Sequence, residues 1–172
     1  MLRKNKSVKK LTTSSLRIIG GQWKRRTISF IAVEDLRPTP DRVRETLFNW
    51  LQFEIQGQRC LDAFAGSGAL GLEALSRGAA ECVFMEKHSS QAKQLQQTLI
   101  DLGKPTPVLV GDTLLLLSQQ KMAFDVVFLD PPYALNFWQP VCEILVKQQL
   151  IHAESWIYIE ADRDWSALGL PT

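Results

Sequence analysis

The 172-residue sequence is poor in cysteine, tyrosine and histidine, with three, two and two residues respectively. It also lacks any apolar run of the roughly 18 to 20 residues that a membrane span requires. Cys60, Cys82 and Cys142 are odd in number, far apart and each set within an apolar run, which supports neither a disulfide framework nor a metal knuckle. They read as buried thiols, and no metal is expected. His88 and His152 have no partner at a catalytic spacing. The basic N-terminus is not followed by the apolar core of a signal peptide, so a soluble, cytoplasmic, monomeric protein is the expectation. The most informative deficit is of acid. Residues 1–33 hold nine Lys and Arg and no Asp or Glu, leaving eleven basic against eighteen acidic residues in the remaining 139. An acidic body with a basic front end implies a polyanionic partner, nucleic acid before membrane surface, because residues 1–15 carry no amphipathic apolar stripe. A merely solubilising tail is the plain alternative. With 45% hydrophobic and 22% charged residues, the composition excludes a disordered scaffold or a fibre.

Residues 1–15, rich in Lys, Ser and Thr, predict a mobile basic tail. Residues 16–20 and 27–30 read as strands around Gly21-Gln22-Trp23-Lys24-Arg25-Arg26, a loop with an aromatic among cations, suited to lie on RNA. In Arg37-Pro38-Thr39-Pro40 the sequence predicts Thr39 as an N-cap and Pro40 as the first helical position. Val43, Leu47, Trp50 and Leu51 then form the apolar face of a helix over 40–53. From residue 54 onward short apolar runs alternate with helical stretches, the pattern of βαβ units and a parallel sheet. Strands are predicted at 60–64, 81–85, 107–110, 124–129 and 155–160, and helices at 69–77, 89–102, 113–121 and 138–149. Right-handed crossovers place helices on both faces. The fold class is therefore α/β, with an N-terminal hairpin and helix (16–53) facing RNA and a ligand-binding body (54–172).

Three features carry chemistry. Gly66, Gly68 and Gly71 form GxGxxG between a strand and a helix, where glycines permit a tight turn and close ligand approach. Asp62 lies just before this loop, an awkward neighbour for a dinucleotide pyrophosphate and a tolerable one for a cationic sulfonium cofactor bearing an amine. Glu86, 20 residues after Gly66, ends the second strand where an acid can hold both hydroxyls of a ribose. Asp112, after Gly111, can reach an adenine amine or simply cap the helix that starts at Thr113. Asp130-Pro131-Pro132-Tyr133 follows the apolar strand 124–129. Either it is a turn, or the Asp130 carboxylate and the Pro131 carbonyl accept the two protons of one exocyclic base amine while Tyr133 stacks on the base.

Taken together, the glycine loop, Glu86, Gly111-Asp112 and the DPPY tetrapeptide resemble class I S-adenosylmethionine-dependent methyltransferases that modify exocyclic amines of nucleobases. LRIIGGQWKRR, LRPTPDRVRETLFNWL and DAFAGSGALGLEALSRGA resemble, more narrowly, the bacterial 16S ribosomal RNA guanine-N2 methyltransferase family of RsmD type, over roughly residues 16–160. The resemblance implies a Rossmann-like sheet with S-adenosylmethionine on Asp62, Gly66, Gly68, Glu86 and Asp112. It implies a target guanine held by Asp130, Pro131 and Tyr133, in small-subunit rRNA within a whole or partial particle. Trp23, Lys24, Arg25, Arg26 and Arg42 are the candidate RNA contacts, whereas the roles of Arg37, Thr39 and Arg44 stay open.

Competing readings remain: an adenine-N6 or cytosine-N4 methyltransferase sharing the tetrapeptide, an NAD-dependent oxidoreductase resting on GxGxxG alone, and an RNA-binding module without catalysis. The family resemblance also implies a seven-stranded sheet closed by an antiparallel hairpin, while the fifth predicted strand is followed only by residues 161–172. The expectation is either a shortened chain or a sheet with an uncovered edge.

Overall fold

The computed structural model describes residues 11–33, 38–132 and 136–170; the predicted tail residues 1–10, Arg37 and Tyr133 lie outside them. First comes an antiparallel pair, β1 (Thr13–Arg17) and β2 (Thr27–Ile31), with Ser15 opposite Ser29. Strand β1 begins and ends earlier than 16–20, so Thr13, Ser14 and Ser15, expected in the tail, are paired. The N–H groups of Ile19 and Gly20 donate instead to the Glu73 carboxylate, at 3.0 and 2.8 Å, which ends the ladder after Ile18.

A 3-10 turn, Gly21–Trp23, links the two strands. Gly21 has φ +78°, and a Cβ there would lie 1.9 Å from the Ser76 carbonyl oxygen, so only glycine lets this turn sit on the helix beneath. Trp23 corrects the expectation of an aromatic presented to RNA. It is 6% exposed, its backbone N–H donates to Ser76 Oγ at 3.0 Å, and its ring joins Leu16, Ile18, Ile28 and Phe30 in the core. Burying so large a ring stabilises by at least the roughly 1.5–3 kcal/mol of a buried Phe.

Helix α1 (Asp41–Trp50) is capped by Pro40 rather than Thr39 and stops short of residue 53. Beyond Trp50 the chain continues as turns in which the Ile55 N–H donates to the Leu51 carbonyl, allowing Leu51 and Ile55 both to enter the core. The inward face of α1 is Arg44, Leu47 and Phe48, whereas Val43 and Trp50, expected inside, are exposed. A buried arginine at this position rotates the helix away from the face that hydrophobicity alone selects.

The central sheet contains β3 (Arg59–Asp62), β4 (Glu81–Glu86), β5 (Val108–Val110), β6 (Val126–Leu129) and β7 (Trp156–Ile159), all parallel. Their order is β5-β4-β3-β6-β7. Between them run α2 (Ala69–Ser76), α3 (Ser89–Asp101), α4 (Thr113–Ser118) and α5 (Trp138–Lys147). Helix α4 ends before residue 121, with the Ser118 hydroxyl donating to the Leu115 carbonyl at 2.6 Å, a local bond that competes with helix continuation.

Period-two alternation sorts the strand residues onto two faces. Cys60, Cys82, Phe84, Val126 and Phe128 pack under α1, α2, α3 and the hairpin, while Leu61, Met85, Val127 and Leu129 pack against α4 and α5. All three cysteines are free and buried, and burial pushes the Cys60 thiol up to about 12 and the Cys142 thiol to about 11. At the β7 edge Trp156 is 54% and Ile157 36% exposed. Among the described residues no helix is long and apolar enough to cross a membrane.

Candidate active site

Strands β3, β4 and β5 step outward in one direction, and the chain then returns to the other side of β3 to form β6 and β7. The reversal lies between β3 and β6, and in such sheets ligands bind beyond the carboxyl ends of the strands at that point. The glycine loop leaves β3 there, and Asp130 and Pro131 leave β6 beside it. Gly66 has φ +54° and Gly68 φ +81°, and Gly68 caps α2 in the left-handed region. Gly71 serves packing: a Cβ would meet Phe84 at 2.3 Å and Cys82 Sγ at 2.8 Å, so its absence lets α2 press onto β4.

Each strand of the sheet delivers an acid to this edge. Asp62 is buried beneath the loop, its Oδ2 accepting from the Gly71 N–H at 3.0 Å. Burial raises its carboxyl, the Gly71 bond pulls it back, and the Glu86 charge adds a further rise, to about 7 in all. Glu86, also buried, accepts from the Gly66 N–H at 2.7 Å and from the His88 N–H at 3.0 Å. Its orientation toward the loop is thereby set by backbone donors. Asp112 is exposed and caps α4, with Oδ1 accepting from the Leu115 N–H at 3.1 Å, so the capping role weighed in the sequence is present. The Thr113 hydroxyl ties the start of α4 to the Ala63 carbonyl at 2.8 Å.

Asp130 is partly buried and Pro131 buried. Burial and the charges of Glu160 and Asp62 push the Asp130 carboxyl up to about 7, against a lowering hydrogen bond from Thr39. Glu160 follows β7 as Asp130 follows β6. Leu129 and Ile159 are in register, and the Glu160 N–H donates to the Leu129 carbonyl at 2.9 Å. The Thr39 hydroxyl donates to Glu160 Oε2 at 3.3 Å and the Tyr158 hydroxyl to the same oxygen at 3.2 Å. Thr39 thus contacts the carboxylates instead of capping α1. It also lines a cavity of about 380 Å³ that opens between β1 and the start of α1, with Arg17 and Arg44 on its wall.

Two buried side chains join the hairpin to the body, Gln91 at this edge and Glu73 on α2. Gln91 donates from Nε2 to the Gly66 carbonyl at 2.7 Å and accepts the Ile31 N–H at 2.9 Å, linking β2 to the glycine loop. Glu73 receives Ile19, Gly20, Arg77 Nε at 2.9 Å and Arg44 Nη1 at 3.4 Å. Arg44 in turn donates to the carbonyls of Thr39 and Arg17 and to Asp41.

A family model described as Conserved hypothetical protein 95 matches residues 16–172. Ribosomal RNA small subunit methyltransferase D of Haemophilus influenzae is 42% identical over 154 residues, 87% of this chain and 80% of that protein. The chain belongs to this methyltransferase D family. A putative methyltransferase from Escherichia coli has the same fold at 40% identity with a TM-score of 0.79, covering 92% of this chain and 86% of that one. A Thermus thermophilus 16S rRNA N2 methyltransferase, solved with AdoMet and guanosine, shares the fold at 22% identity and a TM-score of 0.62, over 83% of this chain and 40% of its own. The sheet is therefore that of a class I methyltransferase.

In this family member Asp62, Gly66, Gly68, Glu86, Asp112, Asp130 and Pro131 gather at one sheet edge, whereas Lys24, Arg25, Arg26 and Arg42 are exposed on the hairpin turn and on α1. Glu73, Gln91 and Glu160 were not singled out as site residues by sequence, which left the role of Thr39 open. Only Glu160 had a usable signal, an acid at the predicted end of a parallel strand.

Proposed function

We propose that this chain transfers a methyl group from S-adenosylmethionine to the exocyclic N2 amine of a guanine in small-subunit rRNA. Family membership supports rRNA methylation, Asp130 followed by buried Pro131 at the switch point beside the glycine loop carries the exocyclic-amine chemistry, and the resemblance of the N-terminal motifs LRIIGGQWKRR and LRPTPDRVRETLFNWL to the guanine-N2 family supports guanine over adenine or cytosine. The residues fit the cofactor by donor and acceptor chemistry. S-adenosylmethionine presents an adenine amine, two ribose hydroxyls and an ammonium, all donors, and the edge offers Asp62, Glu86 and Asp112, all acceptors. Glu86 would hold the ribose hydroxyls, Asp112 the adenine amine, and Asp62 would accept from the ammonium. A pyrophosphate would meet the same carboxylates with repulsion, which argues against a dinucleotide.

When bound, the cofactor supplies an electrophilic methyl on a sulfonium. The protein's own work is to make a poor nucleophile attack in line. Asp130 and the Pro131 carbonyl accept the two amine protons and so aim the nitrogen lone pair, a contribution of orientation and electrostatics. Tyr133 stacks on the base. As the nitrogen gains its methyl it releases one proton, to Asp130 or to water, and a carboxyl raised to about 7 holds a proton at neutral pH far better than an ordinary one.

Labelled methyl transfer to small-subunit particles, free rRNA and DNA, followed by mapping of the modified base, tests the reading. N2-methylguanine is the expected product, and label on adenine N6 or cytosine N4 would refute it. Asp130→Ala should lose most turnover with cofactor affinity nearly unchanged, since the loss falls on base placement and the transition state. Asp130→Asn should retain more.

A further inference from the structure

Exocyclic amines differ in their neighbour on the Watson–Crick edge. The guanine N2 amine lies beside the N1–H donor, whereas the adenine N6 and cytosine N4 amines lie beside ring nitrogens that are acceptors. An acceptor placed next to the amine-holding group therefore favours guanine, and an anionic one also repels the other two bases. Glu160 occupies that place. It leaves β7 one register step past the Leu129–Ile159 pair, beside Asp130, and its charge acts on the Asp130 carboxyl. Its backbone is fixed by the bond to the Leu129 carbonyl and by Trp138 Nε1, which donates to the Glu160 carbonyl at 3.0 Å. Its carboxylate is oriented by the Thr39 and Tyr158 hydroxyls, both on Oε2. Thr39 also lines the cavity beside the hairpin.

We propose that Glu160 is the base-reading residue, accepting the guanine N1–H while Asp130 and the Pro131 carbonyl hold the N2 amine. This rests on the guanine-N2 reading and adds to it the residue that discriminates. Thr39 is then a positioning residue, acting through Glu160.

The test uses the full chain with small-subunit particles carrying, at the nucleotide mapped above, either guanine or 2,6-diaminopurine. The latter keeps the 2-amine and replaces N1–H by an acceptor. For the parent protein, kcat/KM for guanine should exceed that for diaminopurine by tenfold or more. Glu160→Gln keeps the volume, removes the charge and can donate as well as accept, so the ratio should fall to within about threefold of unity with S-adenosylmethionine affinity unchanged. Thr39→Val should lower the ratio partway. An unchanged ratio in Glu160→Gln, or an equal fall on both substrates, would overturn the assignment, because a purely structural residue cannot tell the two bases apart. A parent protein that methylates neither guanine nor diaminopurine at the 2-amine would instead overturn the guanine-N2 reading itself.

Discussion

Glu73 is the residue whose loss should be felt farthest from its own position. It is 0% exposed, faces Arg44 at 1% exposure, and also accepts the backbone N–H groups of Ile19 and Gly20 and Nε of Arg77. In Glu73→Ala the Arg44 guanidinium stays buried with only the solvent-exposed Asp41 carboxylate as counter-charge, a change that costs up to about 3–5 kcal/mol. Two backbone donors that had replaced β-ladder bonds also lose their acceptor, at roughly 1 kcal/mol or more each. Against a total stability of about 5–15 kcal/mol, such a loss leaves the N-terminal strands barely attached. Urea unfolding by circular dichroism gives the global loss, and amide exchange across Thr13–Ile31 gives the local one, which should exceed that in β3 and β4. Arg44→Met combined with Glu73→Leu should be less destabilised than the two single changes added together by about 2 kcal/mol or more, because neither of these two buried charges is left without the other. A loss under about 1 kcal/mol in Glu73→Ala with unaltered exchange in the hairpin would refute the reasoning.

Further outcomes follow from individual site residues. Glu86→Ala should weaken S-adenosylmethionine binding roughly tenfold to a hundredfold, the worth of about 1.5–3 kcal/mol of bonds to a charged group, and calorimetry showing equal affinity would remove Glu86 from the ribose site. Asp62 has its folded-state carboxyl raised from 3.8 to about 7, so the stability it contributes is full below 3.8 and is lost as pH rises through about 7. Asp62→Asn should therefore be more stable than the parent above pH 7, by up to about 4 kcal/mol at about 1.4 kcal/mol per pH unit, with the gain gone near pH 4; a gain independent of pH would show that Asp62 is not protonated on acidification. Replacing Lys24, Arg25 and Arg26 by Ala should flatten the log-log salt dependence of rRNA affinity by at most about 2 units, and an identical slope would place the RNA elsewhere.

The α/β body was legible because its strands are short apolar runs between helix-forming stretches, and because alternation on Cys60, Leu61, Phe84, Met85, Val126 and Val127 is uninterrupted. Acids at strand ends were legible for the same reason: once a parallel strand is located, its carboxyl end is the ligand edge. What escaped the sequence were polar groups whose partners are distant. The sequence leaves the role of Arg44 open; in the fold it is buried and bonded to Glu73, 29 residues on, and with Arg44 turned inward Val43 and Trp50 are exposed. Trp23 reads as a stacking platform among cations, yet its partner, Ser76, is 53 residues away. Thr39 satisfies every local rule for an N-cap and is drawn off by a carboxylate 121 residues later.

These distant bonds share one feature: they fasten the N-terminal segment to the α/β body. Glu73 and Gln91 are buried residues of helices that follow β3 and β4, and both spend their side-chain polar atoms on hairpin backbone. Gln91 holds the Gly66 carbonyl at the same time, so displacement of β2 pulls directly on the glycine loop. Thr39, leaving the hairpin for α1, ends against Glu160 and Asp130. Removal of the hairpin would strip acceptors and donors from buried groups in the body, each costing about 1–3 kcal/mol, besides any loss of RNA contact. The hairpin is therefore a wall of the acid-bearing sheet edge as well as a carrier of positive charge, and its strand β2 is coupled through Ile31 and Gln91 to the glycine loop.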